Sequence, residues 1–366
     1  MPCFIIATLG GGGSLFDYFS ALGGELAARG HRVIILLDGR REDAVNAMRN
    51  PAVLTWPSAR PTAWRDAAFL HGLVKRSSPA CIIGNFSAVN LCTLVGWLDR
   101  VPARVAWSHT LLAQIARDEA VPRWKLAYLV RRKRFVLARA TDVMAVSEAV
   151  MKEQRSSFGV PEEKLHLFRF LLPEPAPARI PRRPNVVVCA GRLQPSKGQD
   201  VLIRALPRIR EACPETAVEF LGGGPMMREY ADLAASLGVA DACRFLGAVP
   251  HPEARERMAS AAAVALPSRS DAFPLVNIEA ASVGTPVVGS AVGGVGEMVV
   301  DGETGLLVPP GDPAALAEKI ILVLGDGELR HRLGQAARAR FEEHFSMRNL
   351  PKHADFFEEL IARRGR

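Results

Sequence analysis

Short apolar runs alternate with helix-length amphipathic segments along almost the whole chain, and this alternation restricts the fold more than any other feature. The runs are Phe4–Thr8, Val33–Leu37, Cys81–Gly84, Arg104–Trp107, Asp142–Val146, Val186–Ala190, Val218–Gly222, Arg244–Leu246, Ala263–Leu266, Pro286–Val288 and Leu306–Val308. Continuous apolar runs of this length read as strands covered on both faces, which predicts parallel sheets flanked by helices. Between the first two runs, Leu15, Phe19, Leu22 and Leu26 recur at helical spacing and Gly30 offers a stop.

The alternation breaks once. Pro173, Pro175, Pro177, Pro181 and Pro184 crowd into Leu172–Pro184, a stretch predicted to hold neither helix nor central strand. At roughly 150 residues per domain, 366 residues suggest two. The expected division is residues 1–172, a proline-rich linker 173–184, a second domain 185–345 and a terminal segment 346–366. Periodicity alone leaves open which domain the helix-like stretch Asn349–Arg363 packs against.

Composition removes several classes. With 49% hydrophobic and 23% charged residues the chain is neither disordered nor fibrous. The longest uncharged stretch, Cys81 to Leu98, carries Asn85, Ser87, Asn90 and Thr93, too polar for a membrane span. No signal peptide is readable at the start, and six scattered cysteines without a Cys-x-x-Cys pair read as buried thiols of a cytoplasmic protein. No metal site is expected.

In doubly wound domains, ligands sit at the carboxyl ends of strands, so the polar residues there carry the functional reading. Gly10-Gly11-Gly12-Gly13-Ser14 follows the opening strand and precedes a helix; it lets backbone approach an anion, or is simply a tight turn. The Gly-x-Gly-x-x-Gly fingerprint fails because Leu15 or Phe16 takes the last position, which weakens a nicotinamide reading, although Asp38 stands where a ribose-binding acid would. Arg192 and Lys197 straddle the loop Gly191–Gly198, where two cations can reach one diphosphate or form an ordinary solvated pair. The stretch from Asp271 to Glu279 opens another helix. Pro274 suits its first turn, the amides of Leu275 and Val276 are free for phosphate oxygens, and Glu279 falls on the face of Leu275 as a ribose clamp; a helix cap and a surface acid is the plainer alternative.

These residues resemble a known family. Ser268–Pro274, Glu279-Ala280, Gly284–Val288, Gly293-Gly294 and Asp301–Pro313 are similar to the retaining glycosyltransferases of family 4, which have the two-domain GT-B fold. Gly191-Arg192-Leu193 with Lys197-Gly198, Leu221–Pro225, Phe245–Gly247 and Ala145–Glu148 match in the same order. The resemblance implies two Rossmann-like domains facing a cleft, with the first binding the acceptor, the second the nucleotide sugar, and the last helix returning to the first domain. It implies that Arg192 and Lys197 hold the diphosphate, Glu279 the ribose, Leu275 and Val276 the phosphate or sugar, and Asp271 the sugar hydroxyls. His109, in Trp107-Ser108-His109, takes the place of the family's active-site histidine, and Gly12 and Gly13 that of its glycine loop near the phosphates. Two departures stand out: Asp271 is one methylene shorter than the usual Glu, and Leu15-Phe16 replaces a Glu-Arg pair.

The implied activity is transfer of a hexose or N-acetylhexosamine from a UDP- or GDP-sugar to a hydroxyl of a lipid-linked saccharide or small natural product. No Asp-x-Asp is present, so the reaction is expected to need no metal and no cofactor beyond the nucleoside diphosphate sugar. A non-catalytic sugar-nucleotide-binding relative and a sugar-nucleotide epimerase are the alternatives. Residues 123–139 contain no acid: Arg123, Trp124, Lys125, Arg131, Arg132, Lys133 and Arg134 would suit an anionic leaflet on the cytosolic face, or form the solvated side of a packed helix. The net charge of +8 comes with no nucleic-acid-binding module, so nucleic acid is not an expected partner.

Overall fold

The computed structural model describes residues 1–10, 13–38, 49–119, 121–175 and 180–365. In chain order the first half contains β1 (Cys3–Thr8), α1 (Ser14–Ala28), β2 (Arg32–Leu37), β3 (Ala52–Thr55), α2 (Trp64–Ser77), β4 (Cys81–Gly84), α3 (Val89–Leu98), β5 (Ala103–Ser108), α4 (Leu112–Asp118), α5 (Arg123–Leu137), β6 (Asp142–Ala145), α6 (Glu148–Phe158) and β7 (Leu165–Leu167). The second half contains β8 (Arg183–Ala190), α7 (Gln199–Ala212), β9 (Ala217–Leu221), α8 (Met227–Ser236), β10 (Cys243–Gly247), α9 (His251–Ser260), β11 (Ala261–Leu266), α10 (Leu275–Ser282), β12 (Val287–Ser290), α11 (Gly293–Met298), β13 (Gly305–Val308), α12 (Pro313–Gly325), α13 (Gly327–His344) and α14 (Leu350–Arg364).

The chain forms two α/β units. Unit 1 comprises residues 1–109, 122–173 and 346–366; unit 2 comprises 110–121 and 174–345. Residues 110–121, which lie inside the first domain by sequence, therefore belong to the second unit, as does Glu174 from the expected linker. Pro177 of that linker lies outside the described residues. Pro184, expected outside any strand, is the second residue of β8. It is tolerated there because the register with β11 shifts between Ala261 and Ala263, so the entry of β8 runs beside an irregular stretch of ladder.

Unit 1 is built on a parallel sheet in the order β3-β2-β1-β4-β5-β6-β7. Every residue of β1 is buried, and Ile5 registers with both Ile34 and Ile82. β3 and β7 are not among the expected strands. They are four- and three-residue edge strands, and β3 is only half-buried throughout. α14 docks on α1, its cap residue Arg29 and β6 through paired polar groups: Tyr18 Oη lies 2.8 Å from His353 Nδ1, Arg29 donates to Asp355 at 2.6 Å and to Glu358 at 2.8 Å, and Arg364 donates to the buried Asp142 of β6 at 3.0 Å. Tyr18, Phe19, Trp107 and Phe170 pack edge-on or stacked beneath them.

Unit 2 holds a second parallel sheet in the order β10-β9-β8-β11-β12-β13. Val187 registers with both Val218 and Ala263, placing β8 at the centre of the apolar core. From β8 the chain winds outward to β9 and β10, then returns to β11 and winds the other way. The reversal falls between β8 and β11, and the carboxyl ends of these strands are where a doubly wound sheet places its ligand crevice. All six cysteines are free, and burial pushes the Cys189 thiol up to about 12.

Candidate active site

The crevice of unit 2 is bounded by the loop from β8 to α7 and the loop from β11 to α10. Ser196, fully buried, stitches them together: its carbonyl accepts from the amides of Arg269 at 2.8 Å and Ser270 at 3.2 Å. Gly198 has φ +66°, and a Cβ there would stand 2.0 Å from the Pro267 carbonyl oxygen, so only glycine lets the loops approach this closely. Arg269 clamps the outer side, donating to both carboxylate oxygens of Asp200 at 2.7 and 2.6 Å.

That stitching sets Lys197 against Asp271. Lys197 Nζ donates to Asp271 Oδ2 at 2.5 Å, and Ser268 Oγ is 3.4 Å from the same oxygen. Asp271 is 4% exposed, so its charge has little water and relies on this partner. The backbone of Asp271 is held in turn by the Gly294 amide at 3.0 Å. Pro274, expected within the first helical turn, is instead the cap residue just ahead of α10. Leu275 and Val276 are then the first helical residues, and among the described residues their amides meet no acceptor. Glu279 is buried on the same helix and faces His251 at 3.6 Å.

Of the residues expected from sequence to bind a donor, unit 2 brings together Lys197, Asp271 and the opening of α10. Arg192, on the same loop as Lys197, is exposed and meets no carboxylate among the described residues, whereas Lys197 is paired with Asp271. Two residues went unnoticed in the sequence. Asp118, at the end of α4, accepts from the Ser196 amide and hydroxyl, both at 2.8 Å, and so holds the loop that carries Lys197. His251, at the start of α9, faces Glu279; its only signal was a position shortly after a strand.

In unit 1, His109 directly follows β5, with its ring stacked on Phe86, centroids 4.2 Å apart, and on Phe170 at 5.4 Å. Asn85 Nδ2 donates to the Ala7 carbonyl at 2.9 Å, which turns its Oδ1 toward His109 Nε2, also at 2.9 Å. The hydrogen-bond network therefore assigns the proton to Nε2 and leaves Nδ1 as a buried acceptor with no partner among the described residues. Loss of water, and secondarily the charge of Lys133, push the imidazole down to about 3, so it is neutral at physiological pH. Gly13 caps α1 with φ +96°, and its carbonyl accepts from Asp17 at 3.0 Å; Gly12 lies outside the described residues. Asp38 does not stand free for a ribose: its carboxylate accepts from the Gly10 amide at 2.7 Å.

The basic segment forms α5. Arg123, Trp124, Lys125, Arg131, Arg132 and Arg134 are exposed, but Lys133 is not. Lys133 turns inward, 4.3 Å over the Phe158 ring, and loss of water lowers its ammonium to about 8. The periodicity explains this: Lys133 lies on the helical face opposite Trp124, beside the buried Val136 and Leu137.

Residues 173–340 match the family described as Glycosyl transferases group 1, and residues 17–169 match Glycosyltransferase Family 4. Glycogen synthase of Mycobacterium tuberculosis is 38% identical over 192 residues, covering 52% of this chain and 46% of the relative. A GDP-mannose-dependent alpha-(1-6)-phosphatidylinositol monomannoside mannosyltransferase of Mycolicibacterium smegmatis is 38% identical over 160 residues, covering 42% of each. The matched stretch thus spans under half the length of these curated relatives. Among solved structures, HepE of Anabaena in complex with UDP and glucose superposes with a TM-score of 0.77 at 20% identity, covering 98% of this chain and 100% of that one, a likeness of fold. The chain belongs to the family 4 glycosyltransferases and has their GT-B fold.

Proposed function

We propose that the protein is a retaining glycosyltransferase that moves a hexose or N-acetylhexosamine from a UDP- or GDP-sugar to a hydroxyl acceptor. The observation that carries this reading is the Lys197–Asp271 pair beside the unoccupied amides of Leu275 and Val276, at the strand-order reversal of unit 2. A diphosphate entering there meets an ammonium and two amides, all suited to negative charge that grows as the sugar departs. Arg192, exposed on the same loop, adds a second cation, and Glu279 offers carboxylate oxygens to the ribose hydroxyls. Among relatives, one is named for GDP-mannose and a structural neighbour was solved with UDP, which supports both nucleotides as donors.

In the proposed step, the bond between the anomeric carbon and the diphosphate oxygen breaks, and its electron pair leaves with the diphosphate. The acceptor oxygen bonds to the same face of that carbon, and its proton passes to the departing phosphate oxygen. Lys197 stabilises that oxygen, so the step requires neither a metal nor a cofactor. Neutral His109 and Gly13 of unit 1 are assigned to substrate binding, as the resemblance implies. Incubating the protein with UDP- and GDP-hexoses and a panel of hydroxyl acceptors tests this. An α-linked product from an α-linked donor is expected; isomerised donor without product would indicate an epimerase, and binding without any turnover a non-catalytic relative.

For the acceptor side we propose a peripheral position on the cytosolic face of a membrane, serving a lipid-linked acceptor. Trp124, Tyr128 and Phe135 are 73%, 58% and 53% exposed and share one face of α5, flanked by Lys125, Arg131 and Arg132. Each cation is worth about 1 kcal/mol near an anionic leaflet. No helix among the described residues is long and apolar enough to cross a membrane, so attachment would rest on this face. Co-sedimentation with anionic vesicles at low salt is expected, and its absence would remove the membrane from the account.

A further inference from the structure

At the end of unit 2 opposite the crevice lies a cavity of about 550 Å³. Arg182, just ahead of β8, and Ala261, opening β11, form one side of it; Arg330, His331, Gln335 and Arg338, on one face of α13, form the other. This is where strands begin, so the cavity is separate from the donor crevice at their carboxyl ends.

Its charges do not balance. Arg338 is neutralised, donating to Glu342 at 2.7 Å and lying 3.6 Å from Glu174. Arg182 meets only neutral oxygens, Thr285 Oγ1 at 3.2 Å and the carbonyls of Ala261 at 3.4 Å and Gly284 at 3.5 Å. Arg330 likewise commits only Nη1, to the carbonyls of Val323 at 2.9 Å and Leu324 at 3.3 Å. Neither meets a carboxylate among the described residues. Partial loss of water, and then the charge of Arg330, lower the Arg182 guanidinium below its ordinary range. Two guanidiniums fixed by carbonyls around one cavity, with free N–H groups and with the lining carboxylate of Glu342 committed to Arg338, form a site that a doubly charged oxyanion completes. The volume falls within the range of small-molecule pockets, at about 300–1,000 Å³.

We propose that this cavity binds a small phosphomonoester, with Arg182 and Arg330 holding the phosphate oxygens and Gln335 and His331 facing the rest of the molecule. Both β8 and α10 run between this cavity and the donor crevice, and the Ser282 carbonyl at the end of α10 accepts from Arg338.

Glycerol phosphate is the probe, titrated into the full-length chain at constant ionic strength while the unfolding temperature is followed. A saturable rise is expected in the native protein and, undiminished, in Lys197→Ala, because the donor crevice is not involved. Arg182→Ala/Arg330→Ala should weaken the apparent affinity at least tenfold. Gln335→Glu should do the same from an exposed position on which folding does not depend. A native protein that shows no rise overturns the proposal, as does a rise lost in Lys197→Ala or one that survives Gln335→Glu unchanged.

Discussion

Lys197 Nζ lies 2.5 Å from Asp271 Oδ2, although 74 residues separate them. The cation that the proposed mechanism assigns to the diphosphate is thus held by the carboxylate assigned to the sugar. Removing the ammonium should lower turnover by about 10²–10³, the cost of losing one preorganised donor to a developing oxyanion. It also leaves Asp271 buried without its counter-charge, so Lys197→Ala should lose about 1–3 kcal/mol of stability. Steady-state rates and urea unfolding of the same variant separate the two effects. A Lys197→Ala protein with native-like rates would refute the assignment.

Asp118 acts through Ser196 and touches no proposed substrate atom. Asp118→Ala frees the Ser196 amide and hydroxyl and loosens the loop that aims Lys197. A fall of about tenfold in kcat is expected, since small misplacements of a positioned group are costly. Because Ser196 would relax without leaving the protein, donor KM should change less than kcat. A change confined to stability would make Asp118 purely structural.

Acid should destabilise unit 1. His109 and His353 are held down to about 3 and about 4, against an ordinary value of 6.5, in both cases chiefly by burial. The unfolded chain therefore binds more protons than the folded one between these limits, and stability falls as pH drops below about 6.5. Asp142, held at about 2 against burial by His166, Arg364 and Thr141, adds a further loss between its ordinary 3.8 and 2. The urea midpoint should be lower at pH 5 than at pH 7.5, and the difference should shrink in His109→Asn. Equal midpoints would contradict the neutral, buried imidazole.

The returning helix α14 should stabilise unit 1 through its far end. Arg364→Ala removes two donors from Asp142, which is 1% exposed and keeps His166 and Thr141 as side-chain partners. A loss of about 2 kcal/mol is expected, or about 4–8 °C in Tm. Calorimetry of the variant checks this.

The two sheets were legible because their central strands are buried on both faces and stand out as apolar runs. β3 and β7 escaped because edge strands of four and three residues are too short to stand out, and Pro184 was misjudged because a register shift admits it. The start of α10 was readable from Pro274 to within one position. The partnership of Lys197 with Asp271, the hold of Asp118 on Ser196 and the inward turn of Lys133 were not. Each depends on groups brought together by strand order or helix packing, over 74, 78 and 25 residues respectively for Lys197, Asp118 and the Phe158 ring.

Calorimetric titration of UDP-glucose and GDP-mannose into the purified protein bears on the account most directly. Saturable binding of at least one, weakened tenfold or more in Lys197→Ala and in Glu279→Ala, is the predicted result. If neither nucleotide sugar binds, nor UDP nor GDP alone, the crevice of unit 2 is not a donor site.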